Sequence, residues 1–262
     1  MRGVVLALAL APALALLAVP ARAAIPVRRY FEPTDLELEN PGVVELDLQL
    51  GFIRSQGPYR LVVPDFEADL GILPNLELDI DGALAIEGPQ DAPFALDHVV
   101  ADNLWVSVKL GLFDLRNEAA RSAWAGGVQV GPKLPLAPGA DGIGVEGLLL
   151  LGRTMPGVQV VLNLGGLYDP PVAPTGSRPA GIEGGFDLKF DLPPSGVLAI
   201  LGELAGVAFV SDDPNQLLVT AGIDWQPREW IEISLVGLVG FLMGSDQYGL
   251  LLGISPKFRV VP

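Results

Sequence analysis

Carboxylates are the side chains of this chain with the plainest capacity for chemistry, and their spacing is regular. Glu77, Asp79 and Asp81 fall on every second residue, as do Glu67 and Asp69 just before them. Groups of this kind can ligate a hard cation, act as an acid–base pair, or line a path for ions. Glu77, Asp79, Asp81 and Gly82 match the first half of a calcium loop. The closing glutamate should then fall at position 88, which is glycine, and Glu87 is one residue early. Strand periodicity explains the same acids as one face of a β-strand. Nothing singles out one carboxylate pair for acid–base work. A histidine-dependent hydrolase would have to use His98, the lone histidine, and no G-x-S-x-G accompanies it. There is no P-loop and no dinucleotide fingerprint. With no cysteine, disulfides and thiolate metal sites are excluded. The reading is therefore not an enzyme, with no catalytic residue, no metal site and no cofactor, and the acids are left as candidates for lining a route.

The elements that position them are strands. Leu76, Leu78, Ile80, Leu84 and Ile86 alternate with Glu77, Asp79, Asp81, Ala83 and Ala85, so apolar residues share one face and acids the other. Leu73-Pro74-Asn75 is a turn, because proline presets φ and asparagine tolerates the left-handed region. The pattern recurs down the chain. Val44, Leu46, Leu48, Leu50 and Phe52 alternate with Glu45, Asp47, Gln49 and Gly51. Phe186, Leu188 and Phe190 alternate with Asp187, Lys189 and Asp191. Twelve strands are expected at about 43–54, 59–72, 76–87, 104–113, 121–133, 142–152, 157–168, 181–192, 196–210, 215–225, 229–242 and 247–260. Longer connections, including those after the first strand, at 88–103 and at 169–180, alternate with short turns. Aromatic residues gather near strand ends. Trp225 and Trp230 flank one short turn; Phe52, Tyr59, Tyr168, Phe241 and Tyr248 lie near longer loops. An even strand count, unequal loops and two aromatic girdles describe a transmembrane β-barrel. Trp105 fits less well, because its parity points it inward.

Composition agrees. Half of the 262 residues are hydrophobic and mean hydropathy is +0.45, yet the formal charge is −15. That combination implies segregation by face. Basic clusters are absent, so nucleic acid is not an expected partner. At the N-terminus, Arg2 is followed by an apolar run from Val4 to Val19 and by Ala21-Arg22-Ala23, the form of a secretory signal cleaved after Ala23. Residues 1–23 are read as signal peptide, 24–42 as a loosely ordered periplasmic leader, and 43–262 as the barrel. The apolar runs 196–210 and 230–243 fall short of the ~20 residues of a helical span.

The segments PDFEADLGILPNLELDIDGAL, NLWVSVKLGLFD, DWQPREWIEISLVG and YGLLLGISPKFRV carry a resemblance. They resemble the bacterial outer-membrane β-barrel family named after the meta-pathway of phenol degradation, a family of transporter-like barrels. Leu73 to Leu78 occupies the place of its short turn, and Val106 to Lys109 that of its following strand. The resemblance covers about residues 43–260 and implies passage of aromatic or other hydrophobic compounds. It also implies a C-terminal aromatic for membrane assembly, for which Phe258 is the candidate.

The expected fold is thus all-β: an antiparallel up-and-down transmembrane barrel of about twelve strands behind a signal peptide, in the outer membrane of a Gram-negative-type envelope. The expected function is a porin-like channel or transporter for small, hydrophobic or aromatic solutes, with an acidic lumen. The alternative is a structural or surface-binding barrel that transports nothing. Strand geometry sets the backbone diameter at about 24 Å, which leaves a narrow lumen. Expected lumen-lining residues are Glu45, Asp47, Glu67, Asp69, Glu77, Asp79, Asp81, Lys109, Asp187, Lys189, Glu203 and Glu232. By the same parity Glu146, Glu183, Asp191, Asp224, Lys133, Lys257 and Arg259 also point inward, and Val197, Ala199, Leu201 and Ala205 form an apolar stretch of wall. Expected partners are outer-membrane lipid, the barrel-assembly machinery and a small-molecule solute.

Overall fold

A computed structural model describes residues 38–55, 59–88, 98–172, 178–193 and 197–260. The expected signal peptide and most of the expected leader lie outside these residues.

The described chain is all β. Its strands are β1 (Val43–Arg54), β2 (Tyr59–Leu73), β3 (Leu76–Gly88), β4 (His98–Ala101), β5 (Leu104–Asn117), β6 (Ser122–Leu134), β7 (Gly144–Met155), β8 (Val158–Tyr168), β9 (Ala180–Asp191), β10 (Leu198–Phe209), β11 (Gln216–Arg228), β12 (Ile231–Gly240) and β13 (Tyr248–Arg259). Apart from β4 and β5, each pairs antiparallel with its sequence neighbours, and β1 pairs with β13 from Val43↔Arg259 to Arg54↔Tyr248, closing the sheet into a barrel. The wall has twelve strand positions, because β4 and β5 both pair with β3 and are one strand interrupted at Asp102–Asn103. Closure of β1 on β13 makes the wall one continuous ladder, which is what a sheet in lipid requires, and β4 adds to it as a short extension paired on β3.

Alternation governs burial. In β9, Ile182, Phe186, Leu188 and Phe190 are exposed on the outside while Glu183 and Asp187 are buried within. The outward face carries large apolar side chains all round, among them Leu50, Val108, Leu149, Ile223 and Leu252. Exposed apolar surface of this kind marks a lipid-facing band. Trp124, Trp225 and Trp230 stand exposed toward the end that holds the chain termini; Tyr168, Phe241 and Tyr248 are exposed toward the other. These are the two girdles that the sequence suggested.

The turns at the terminal end are tight. Pro156–Gly157 joins β7 to β8, with Gly157 at a φ of 73° that favours glycine. Several expectations change. The connection between β1 and β2 is only four residues, 55–58, and not one of the longer loops. Part of the 88–103 connection is strand, because β4 extends the ladder beside Leu84–Glu87. β5 runs to Asn117, four residues past its expected end.

Candidate functional site: the lumen

The lumen is built by the inward parity of twelve short ladders. Among the predicted lining residues, Glu67, Asp69, Glu77, Asp79, Lys109 and Asp187 are buried, and Glu45, Asp47, Asp81, Lys189, Glu203 and Glu232 are half-buried. Cross-strand register then sets neighbours. One row reads Lys257, Glu45, Asp69, Asp79 and Ser107 across β13, β1, β2, β3 and β5. The next reads Asp47, Glu67, Asp81, Trp105 and Lys133 across β1, β2, β3, β5 and β6. Like charges directly opposite each other repel, so these rows are held by the closure of the barrel and by the bases at their ends.

The inward lysines are paired with acids, three of them with two each. Lys109 pairs with Glu77 at 3.0 Å. Lys257 bridges Glu39 at 2.7 Å and Glu45 at 2.9 Å. Lys189 lies 2.9 Å from Asp224 and 3.7 Å from Glu232. Lys133 joins Glu146 at 2.7 Å and Asp169 at 2.8 Å. Neutral donors complete the set. Gln129 donates to Asp79 at 2.8 Å, Thr220 to Glu203 at 2.8 Å, and Asn163 to Asp187 at 3.2 Å. Two groups bring carboxylate oxygens within 4.8 Å of one another, Glu45–Asp47–Asp69 and Glu67–Asp69–Asp79. By donor type they could hold a hard cation, and buried acids packed this closely would be relieved by one.

Other inward expectations divide. Glu183 and Asp224 are buried, Glu146, Asp191, Lys133 and Lys257 are half-buried, and Ala199 and Leu201 are buried. Arg259 and Val197 are not enclosed: Arg259 is exposed at the last residue of β13, and Val197 is exposed in the turn before β10. Trp105 does point inward: it is buried, and its Nε1–H donates to the Gly131 carbonyl at 3.3 Å. The leader is also corrected over its last residues. The backbone N–H of Glu39 donates to the Glu77 carboxylate, Gly42 donates to the Gly71 carbonyl at 2.9 Å, and Leu38 lies against Gly111. Gly71 is what admits this segment: a Cβ there would sit 2.3 Å from the carbonyl oxygens of Glu39 and Asn40. Residues 38–42 thus lie along the inner wall at the terminal end.

The lumen holds residues the sequence reading passed over. Arg60 is fully buried; it donates through Nε to Ser55 Oγ at 2.8 Å and pairs with Asp246 of the 241–247 connection. Arg60 and Val62 face inward because the register shifts between Val62 and Asp65, so the parity read from Phe66 onward does not extend back past Pro64. A proline inside a strand was the available signal of that bulge. Below Arg60, Ile53, Val62, Leu218, Leu238 and Leu251 pack together inside the barrel. They draw on β1, β2, β11, β12 and β13, so this sector is filled with apolar side chains at the end away from the termini.

Comparison with solved structures places the architecture. The COG4313 outer membrane channel from Pseudomonas putida F1 superposes with a TM-score of 0.63 at 10% identity, over 87% of this chain and all of the other. The OmpT outer membrane protein of Vibrio cholerae matches at 0.41 and 10% identity, over 82% of this chain and 97% of that one. The translocator domain of the autotransporter NalP from Neisseria meningitidis matches at 0.42 and 11% identity, over 85% and 91%. No family model matches the sequence, and no curated protein matches it. The first superposition, with the closed ladder and the lipid-type outer face, identifies the fold as that of a twelve-stranded outer-membrane barrel.

Proposed function

We propose that the protein is an outer-membrane channel for small solutes whose lumen selects by negative charge. The observation that supports this most is the acidic inner face of β1, β2 and β3, where Glu45, Asp69 and Asp79, and beside them Asp47, Glu67 and Asp81, stand in adjacent register inside a closed wall. In a narrow lumen of low dielectric such groups are weakly screened from one another, and cations accumulate among them as they do among rings of acids in cation channels. The Pseudomonas putida neighbour is itself described as an outer membrane channel. The resemblance seen in the sequence adds hydrophobic or aromatic solutes as candidates, for which Ala199 and Leu201 give a buried apolar stretch of wall. Residues 1–23 serve as the export signal in this reading, and the five-turn end that holds the termini faces the periplasm.

The test is a planar bilayer carrying the refolded protein under a KCl gradient. The expected reversal potential favours K⁺; one that favours Cl⁻ overturns charge selection. A second reading is a closed barrel that conducts nothing. The apolar cluster beneath Arg60 and the leader residues along the inner wall favour it, and a silent bilayer would establish it.

A further inference from the structure

The connection 241–247, between β12 and β13, turns inward at the end of the barrel away from the termini. Its side chains are sorted against the usual order. Phe241, Leu242 and Met243 are exposed, whereas Ser245 and Asp246 are buried. Apolar burial therefore does not seat this segment; polar contacts do.

Those contacts reach to both sides of its own strands. Toward β11, Ser245 Oγ accepts from the Leu217 N–H at 2.8 Å and donates to the Leu217 carbonyl at 2.9 Å, and the Gly244 N–H donates to the Asn215 carbonyl at 3.1 Å. Toward β1 and β2, the Gln247 N–H donates to the Arg54 carbonyl at 2.7 Å. There the Asp246 carboxylate accepts from the Ser55 hydroxyl and from the Arg60 guanidinium. The segment thus lies across β11, β12, β13, β1 and β2. These are the five strands whose inward Leu218, Leu238, Leu251, Ile53 and Val62 form the apolar cluster. It is placed as a lid on that sector.

Arg60 is the fixed half of the fastening. It stands on β2, is fully buried, and feels the charges of Glu87 and Asp102. When Asp246 withdraws, the guanidinium keeps acids around it. Asp246 belongs to the loop and passes into water with it. A buried ion pair returns little net stability once both charges have lost their water. Such a pair serves better to hold one arrangement against another, and here the two are loop in and loop out.

We propose that 241–247 is a gate over the apolar sector of the lumen, held closed by Asp246 on Arg60 and Ser55 and opened when that carboxylate leaves. The inference rests on the channel reading and adds its control. Opening exchanges the polar contacts of the loop for contacts with water.

The chain has no cysteine, so an introduced thiol pair reports alone. The refolded full-length barrel carrying Ser55→Cys with Asp246→Cys is recorded in a planar bilayer before and after oxidation. The reduced form has lost its fastening and should conduct several-fold more than the parent. The disulfide should close it, and a reductant should reopen it. Heat-modifiable gel migration confirms assembly, and loss of maleimide-reactive thiol confirms the bridge; where no bridge forms, a short bis-methanethiosulfonate reagent supplies it. Equal conductance of the reduced and bridged forms overturns the gate and leaves the channel standing. A barrel silent in every form overturns the channel. For that case, or for a pair that does not assemble, the lid is read by thiol labelling of Val62→Cys, which lies beneath it. A water-soluble methanethiosulfonate should react roughly tenfold faster when Asp246→Ala is added, and equal rates overturn the gate.

Discussion

Two sectors of the same lumen, at the same end of the barrel, have opposite interiors. Across β11, β12, β13, β1 and β2, the inward positions are Leu218, Leu238, Leu251, Ile53 and Val62, packed against one another. Across β3 to β10, the inward positions include Asp81, Glu146, Glu183 and Glu203 around open space. In–out alternation sets the facing in both, with its phase shifted in the closed sector by the bulge between Val62 and Asp65. It follows that alternation decides which side chains face inward, while the chemistry of the interior is decided sector by sector. β1 shows this within one strand: Glu45 and Asp47 are half-buried among acids near its start, and Ile53 is fully buried among apolar neighbours near its end. Apolar contact fills one side of the barrel, and polar side chains line open space on the other.

The contrast can be broken most severely at Arg60, which joins the closed sector to the 241–247 connection. Arg60→Ala leaves Asp246 buried without its cation and should cost about 3–5 kcal/mol. Urea unfolding followed by tryptophan fluorescence would measure it, and a cost below about 1 kcal/mol would mean the pair does not hold this sector shut. Next comes the apolar packing itself. Leu251→Ala should cost about 2–5 kcal/mol, as other buried leucine truncations do. Glu203→Gln in the open sector keeps its side-chain volume and its oxygen for Thr220, and should stay within about 1 kcal/mol of the parent. Equal losses from the two would erase the distinction between packed and open sectors.

A third contrast sets the outer face against the inner one at adjacent residues. Leu188 is exposed on the lipid side and Asp187 is buried in the lumen. Leu188→Arg should cost about 2–4 kcal/mol near mid-membrane and reduce assembly, while Asp187→Asn should assemble as well as the parent. Heat-modifiable migration of both variants decides it; matched damage would refute the parity. The smallest effect is expected from Asp79→Asn with Asp81→Asn. Assembly should be unchanged and K⁺ preference reduced, more at ~0.1 M salt than near ~1 M, because screening shortens from ~10 Å to ~3 Å over that range. A selectivity that ignores the double substitution would move the filter away from β3.

Strand positions and facing were legible in the sequence because a period of two is a local property: Glu77, Asp79 and Asp81 need only their own neighbours to declare a face. Most turns between wall strands were legible for the same reason, from proline, glycine and asparagine at the breaks. Wherever the local rule was interrupted, legibility ended. The bulge between Val62 and Asp65 put Arg60 inside, and the break at Asp102–Asn103 turned part of an expected loop into β4. The leader's last residues lie along the inner wall because Gly71, more than thirty positions away in sequence from Leu38, leaves room for them.

By itself the sequence determined the fold class, the acidic inner face of β1 to β3 and the apolar outer face, since alternation and turn chemistry act over a few residues. Only the tertiary structure decided which side chains share a row, that Lys133 serves both Glu146 and Asp169, that Ile53 meets Leu218 and Leu251, and that the remaining acids enclose a cavity with Trp105. The reason is physical. Facing is fixed along a strand, but neighbours across the lumen are fixed by ladder register and by closure of β1 on β13, and both are sums over the whole chain.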